Sequence, residues 1–388
     1  MTVNIVGWSH TPFGKHNEVT LEDLIVQAAR EALAHAGIGA ADVDEVFLGH
    51  FNAGFSAQSF TASLVFQADD GFRFKPATRV ENACATGSAA IHQAIRSIEA
   101  GHARTVLVVG AEQMSLCSGA EVGKNLLKAS YLPEEGDTPA GFAGVFGLIA
   151  DRYFQRHGDQ SDALAAIAAK NHRNGVANPY AQMRKDLGYD FCRAESDRNP
   201  FVAGPLKRTD CSLVSDGAAA VVLMSDDAAR DMPRTVSFRA TAHVQDFLPL
   251  SRRDVIRFEG CARAWAAALD GAGLSLDDLS LVETHDCFTI AELIEYEAMG
   301  LAPEGQGARA VLEGWTARGG RLPVNLSGGL KAKGHPIGAT GVSMHVVSAM
   351  QLCGEAAEMQ LPGATLAGVF NMGGAGVANY VSILERSR

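Results

Sequence analysis

"LEDLIVQAAREALAHAGIGAADVDEVFLGH" (residues 21–50) and "RFEGCARAWAAALDGAGLSLDDLSLVETHD" (residues 257–286) read alike. Each begins as an amphipathic, alanine-rich helix and runs into Ala-Gly-Ile or Ala-Gly-Leu. A short acidic turn and an apolar strand follow. Gly37 and Gly273 fall where a helix ends with least strain, because glycine alone adopts positive φ freely. The downstream stretches correspond as well. "ENACATGSAAIHQAIRSIEAGHARTVLVVGAEQM" (81–114) gives a loop, a helix and an apolar strand. "KGHPIGATGVSMHVVSAMQLCGEAAEMQLPGATLAGVFNMGG" (333–374) gives the same order, with Ala85-Thr86-Gly87 matched by Ala339-Thr340-Gly341. Four elements repeated in one order predict a duplicated α/β unit.

"TVLVVGA" (105–111) and "AAAVVLMS" (218–225) read as strands buried on both faces. Between them, residues 115–210 lose the strand–helix rhythm. That excursion is rich in turn residues, with helices expected over about 141–157 and 161–174. An insertion of this size is expected to be a lid or a binding surface. "DDAARDMPR" (226–234) reads as the linker between halves. The expected division is 1–114 plus 211–228 for the first half, 115–210 for the insertion and 229–388 for the second half.

Composition limits the function. The chain of 388 residues is 47% hydrophobic and 20% charged, as in globular proteins. A net charge of −11 argues against nucleic-acid binding. No apolar run reaches a bilayer span, so no membrane is expected. The beginning of the chain has no basic segment leading into an apolar one, so no signal peptide is expected. The seven cysteines form no C-x-x-C pair, which argues against structural zinc and fits a reducing, cytoplasmic setting. Residues 152–208 carry ten Lys/Arg against six Asp/Glu, a local excess of basic charge suited to an anionic small molecule.

The reactive candidates stand at strand-to-loop junctions, where ligands bind in layered α/β proteins. In "VENACATGSAAIHQAIRSI" (80–98) Cys84 comes just before an expected helix start. Unpaired amides and the helix dipole there favour a thiolate, so its pKa is expected below the free value of about 8.5. "ETHDCFT" (283–289) sets His285 and Cys287 after a strand, "KGHPIGATG" (333–341) holds His335 in a rigid turn, and "FNMGGAGVANY" (370–380) brings Gly373. Together they provide a nucleophile, a base, a second thiol and glycine amides for an oxyanion, the parts acyl transfer requires.

"NACATGSAA", "SDGAAAVVLMS" and "NLSGGLKAKGHPIGATG" together make the chain resemble a thiolase over essentially its whole length. "HDCF" marks the sterol-carrier-protein-associated subtype, since other thiolases carry Asn-Glu-Ala-Phe there. Where those enzymes have a catalytic cysteine near the end, this chain has Asn371, while Cys287 appears in "HDCF". The resemblance implies the α/β thiolase fold, two duplicated βαβαβαββ halves in a five-layer α-β-α-β-α arrangement. It implies an acetyl-CoA acetyltransferase or 3-ketoacyl-CoA thiolase working through an acyl-Cys84 intermediate. His335 would take the thiol proton and Cys287 would exchange the α-proton. Oxyanion holes would come from His285 with His335 and from the amides of Cys84 and Gly373. Asn371, Ser327, Gly328 and Met114 are expected at the substrate. No metal and no cofactor is expected, coenzyme A being a substrate. A homodimer or homotetramer is implied. The alternatives are an acyltransferase with a non-CoA acceptor and a thiolase-like subunit paired with a small OB-fold protein.

Overall fold

The computed structural model describes residues 2–388. The first half holds β1 (Val3–His10), α1 (Leu21–Ala36), β2 (Glu45–Gly49), β3 (Ala77–Val80), α2 (Thr86–Glu99), β4 (Thr105–Glu112) and β5 (Gly217–Ser225). The excursion contains α3 (Phe142–His157) and α4 (Ser161–Val176). The second half holds β6 (Val236–Gln245), α5 (Glu259–Ala272), β7 (Leu281–Glu283), α6 (Thr289–Ala298), α7 (Ile337–Cys353), β8 (Leu366–Gly373) and β9 (Ala378–Arg386).

Among the described residues these strands form one nine-stranded sheet in the order β3-β2-β4-β5-β1-β6-β9-β8-β7. That order is a palindrome about the β1–β6 seam, and the strand directions repeat with it. β2–β4 and β7–β8 are parallel, whereas β4–β5, β5–β1, β8–β9 and β9–β6 are antiparallel. The two half-sheets are therefore one sheet, joined by a two-residue antiparallel bridge, Asn4 to Ser237 and Ile5 to Val236. The place of β3 in the second half is taken by a single parallel bridge between Val282 and Val324. The expected helix between β2 and β3 is replaced by two 3₁₀ turns, Thr61–Ala68 and Asp70–Phe72. Glycine ends both matched helices, Gly37 at φ 73° and Gly273 at φ 66°.

Helix α1 covers the outer face of the first half, α5 covers that of the second, and α2 with α7 fill the space between, giving the five layers of the α/β thiolase fold. β4 and β5 are buried at every position because they are covered on both sides. From Ile337 to Leu352 every residue of α7 is buried, as a central helix requires. Helices α2 and α7 meet backbone to backbone at the matched glycines. A Cβ on Gly341 would lie 2.2 Å from the Ser88 nitrogen, and one on Gly87 would lie 2.7 Å from the Val342 nitrogen.

The excursion is inserted in the first half, yet Phe146, Ile149 and Leu164 share a core with Trp265, Ile294 and Phe370 of the second. It is thus a wall built over the second half. Among the described residues, no helix is long and apolar enough to cross a membrane.

Candidate active site

Cys84 sits in the turn between β3 and α2. The preceding Ala83 takes the left-handed conformation at φ 48°. Thr86 ties the turn, its hydroxyl accepting from the Asn82 amide at 2.9 Å and donating to the Ala83 carbonyl at 2.6 Å. The Cys84 sulfur and one ring nitrogen each of His285 and His335 lie within 4.8 Å of one another, and all three residues are buried. The sulfur comes from the first half of the chain and the two rings from the second.

Each ring has its tautomer set by a neighbour. The Asn371 side-chain amide donates to the Cys84 carbonyl at 3.0 Å and meets His285 Nδ1 at 3.0 Å. An NH₂ group only donates, so Nδ1 accepts and the neutral ring carries its hydrogen on Nε2. That Nε2 is buried without a partner. At His335 the order is reversed. The Thr340 hydroxyl donates to the Pro336 carbonyl at 3.0 Å and contacts His335 Nδ1 at 2.7 Å. A hydroxyl has one hydrogen, so Nδ1–H donates to it and Nε2 keeps a free lone pair. Ser215 Oγ accepts the His335 amide at 3.0 Å and fixes the turn.

Burial governs the ionisation. It pushes the Cys84 thiol up to about 12, with Glu81 and Glu112 adding to the rise. The amides of Gly374 and of Cys84 itself donate toward the sulfur and offset only part of this. The expected lowered pKa is thus corrected: the helix start lowers it, and desolvation outweighs that effect. The amide of Gly374, the residue after the expected Gly373, faces the sulfur. His335 is pushed down to about 3 by burial and then by Lys333, and burial takes His285 well below its ordinary value. The resting centre is a neutral thiol with two neutral imidazoles. Burial also raises Cys287 well above the ordinary thiol value, and a thiolate at Cys84 would add to the rise. Cys287 therefore rests as a proton donor.

A cavity of about 550 Å³ opens onto Cys84, Cys287 and His335. Met114, Val122, Leu126, Phe142 and Phe288 give it apolar walls, and Lys15 and Arg208 are the cations on its lining. Three expected substrate residues are not part of that wall. Asn371 is pinned between Cys84 and His285. Ser327 donates its hydroxyl to Glu283 at 2.5 Å, and Gly328 packs on the Gly175 backbone. Half of the ten cations of the basic segment are bound elsewhere: Arg156 with Asp254, Lys170 with Glu292, Arg173 with Asp186, Arg193 with Asp162 and Lys207 with Asp210.

Sequence reasoning missed the residues that hold the loops. Asp216 accepts the amides of Met114 at 2.6 Å and His16 at 2.9 Å. Buried Glu112 accepts those of Phe51 and Gly338, each at 3.0 Å, joining a first-half loop to the start of α7. Asp286 accepts the amide of Leu330 at 2.7 Å and the side chain of Asn171 at 2.8 Å, and so anchors the loop carrying His285 and Cys287. The signal for Asp216 was its place in "SDG", directly before a fully apolar strand.

The thiolase N-terminal domain family matches residues 3–227, and the thiolase C-terminal domain-like family matches residues 242–386. The acetyl-CoA acetyltransferase of Methanothermobacter thermautotrophicus is 36% identical over 388 residues, with 99% of each chain covered. Human sterol carrier protein 2 is 33% identical over 389 residues, covering 96% of this chain and 70% of that one. Among solved structures, the Ltp2-ChsH2(DUF35) aldolase superposes with a TM-score of 0.83 at 22% identity, over 100% of this chain and 98% of that one. An acetyl-CoA acetyltransferase from Syntrophomonas wolfei does so with a TM-score of 0.71 at 20% identity, over 99% and 98%. Both halves, their order and the full-length relatives agree: the chain belongs to the thiolase family.

Proposed function

We propose that this thiolase-family enzyme is a CoA-dependent thiolase. It would interconvert 3-ketoacyl-CoA and shorter acyl-CoA esters by Claisen chemistry through an acyl-Cys84 thioester. The observation that carries this reading is the grouping of the Cys84 sulfur with two rings of opposite tautomer beside a second thiol.

A neutral thiol of high pKa attacks only as its proton leaves. The His335 Nε2 lone pair accepts that proton while sulfur bonds to the acyl carbon. Collapse of the adduct breaks that carbon's bond to the CoA sulfur, which takes the proton from His335, or in cleavage its bond to the α-carbon, which Cys287 protonates. The tetrahedral oxyanion on Cys84 is held by the amides of Cys84 and Gly373, and loss of one such donor costs about 2.7–4 kcal/mol. In the second half-reaction an acetyl-CoA thioester oxygen receives the His285 Nε2–H, which makes the α-proton removable. In the cleavage direction the Cys287 S–H protonates the departing α-carbon, and in the reverse, condensing direction the thiolate so formed takes the α-proton back. The apolar walls accept the acyl chain, and Lys15 and Arg208 face the anionic part of CoA. No cofactor enters these steps.

The test is Cys287→Ala. Acyl-enzyme formation on Cys84 from acetyl-CoA should persist, since it needs no α-proton transfer. Exchange of acetyl-CoA α-protons with deuterated solvent and condensation should both fall by about 10²–10⁴, the contribution of a positioned acid/base. An acyltransferase with a non-CoA acceptor predicts nearly unchanged turnover in this variant. Unchanged exchange overturns the role of Cys287.

A further inference from the structure

We propose that Cys84, His285 and His335 form a binding site for a borderline-soft divalent cation, of the class of Zn²⁺, that reversibly blocks the nucleophile. The proposal does not depend on which acyl transfer the enzyme performs.

The donor set is two imidazole nitrogens and one sulfur, all within 4.8 Å of one another. Zinc takes Zn–S of about 2.3 Å and Zn–N of about 2.0–2.1 Å in tetrahedral sites, which sets donor atoms roughly 3.3–3.6 Å apart. Closing the triangle by about 1.5 Å at most is within the reach of small side-chain torsions. His285 Nε2 is fully buried and has no partner in the protein, so a metal there displaces no hydrogen bond at that atom, the cost falling on Asn371. His335 Nε2 presents a lone pair. Both Cys84 and His335 line the cavity, which gives the ion a path and leaves the fourth position to water.

The step balances without redox change. The Cys84 S–H bond breaks, a metal–sulfur bond forms, and the proton leaves to solvent. His285 moves its hydrogen from Nε2 to Nδ1. Asn371 then turns its amide to offer Oδ1, an atom with no partner in the present arrangement, at the loss of its bond to the Cys84 carbonyl. A nitrogen–sulfur set selects Zn²⁺, Co²⁺ or Cd²⁺ over Mg²⁺ and Ca²⁺, which prefer oxygen ligands.

The full chain, stripped with chelator, is titrated with Zn²⁺ by calorimetry and with Co²⁺ by absorption. One equivalent should bind at micromolar affinity or tighter, with a sulfur-to-cobalt charge-transfer band, and Mg²⁺ should not compete. Cys84→Ala, His285→Ala and His335→Ala should each weaken Zn²⁺ by about 100-fold or more, at least the loss seen on removing an outer-shell partner. In the unaltered chain, saturating Zn²⁺ should protect Cys84 from iodoacetamide, read by mass spectrometry, and chelator should restore labelling. That arm needs no variant. Unslowed Cys84 labelling at saturating Zn²⁺, unchanged affinity in Cys84→Ala, or millimolar binding alone would each overturn the proposal.

Discussion

Asn371 donates its side-chain amide to His285 Nδ1 at 3.0 Å and so decides which nitrogen of that ring carries hydrogen. The side chain touches no cavity, yet it fixes the N–H of His285 on Nε2. Asn371→Ala frees the ring to adopt either tautomer. kcat should fall by about 10²–10³, the cost of one misplaced oxyanion donor. KM should change far less, because the cavity wall is untouched. A rise in KM at constant kcat would contradict this positioning role.

The thiol pushed up to about 12 has a kinetic signature. Alkylation follows the thiolate fraction. Inactivation of the free enzyme by iodoacetamide should therefore rise about tenfold per pH unit from neutrality with no plateau below about pH 10. Partly exposed Cys117 will also label. Activity loss should track Cys84 modification alone by peptide mapping. A plateau near pH 7 would mean that the thiolate is already formed at rest.

Lys15 and Arg208 are the cations on the cavity lining. Replacing each by Ala should raise KM for a CoA ester about tenfold, the worth of a hydrogen bond to a charged group. A pantetheine ester, which lacks the nucleotide phosphates, should be indifferent. Equal losses with both substrates would remove this assignment.

Gly341→Ala places a Cβ 2.2 Å from the Ser88 nitrogen on the facing helix. Both backbones are locked in the middle layer, so the helices must separate. Denaturant unfolding should show a loss of at least about 1–3 kcal/mol, the range for overpacked cores. Gly271→Ala is the control. Its Cβ would meet only the Ala240 Cβ at an ordinary 3.6 Å, within a helix. That change should leave stability level or raise it by up to about 1 kcal/mol.

Acid should unfold the protein through its buried histidines. His10 and His335 are pushed down to about 3 and His345 to about 4, chiefly by burial. Below the unfolded value of about 6.5, the unfolded chain takes up protons that the native state refuses. Stability is thus lost as pH falls from about 6.5 toward 3–4, by up to about 1.4 kcal/mol per pH unit for each ring. Asp286, raised to about 7 by burial and Glu292, contributes the opposite slope over its own range. His345→Gln should flatten the pH dependence of the unfolding midpoint between pH 4 and 6. An unchanged slope would show that His345 does not contribute.

The duplication was legible because it is written in local chemistry: amphipathic helices, acidic turns and terminating glycines at matched places. The palindromic strand order and the β1–β6 seam were not, since pairing between distant strands leaves no local mark. Cys84, Cys287, His285 and His335 stood out as reactive residues in loops after strands. The ionisation of Cys84 was misjudged because a helix start is a local feature, whereas desolvation depends on what the remaining chain stacks around it. Ser327 and Gly328 lie close in sequence to His335, but their partners are Glu283 and Gly175, which no spacing indicates. The basic excess of residues 152–208 was real in sequence, and Asp210, Asp254 and Glu292, acids outside that segment, offset most of it in space.

The glycine crossing of α2 and α7 separates what this scaffold keeps constant from what it can vary. The distance between the sulfur of one half and the His335 ring of the other is set where the two backbones touch, at glycines that are no part of the cavity wall. The cavity wall is drawn largely from the excursion, whose Phe142, Leu126 and Val122 make no part of that crossing. Substitutions there redraw the shape of the acceptable acyl group while the spacing of the reacting atoms stays put. A change of diet in such an enzyme needs no re-registration of its chemistry.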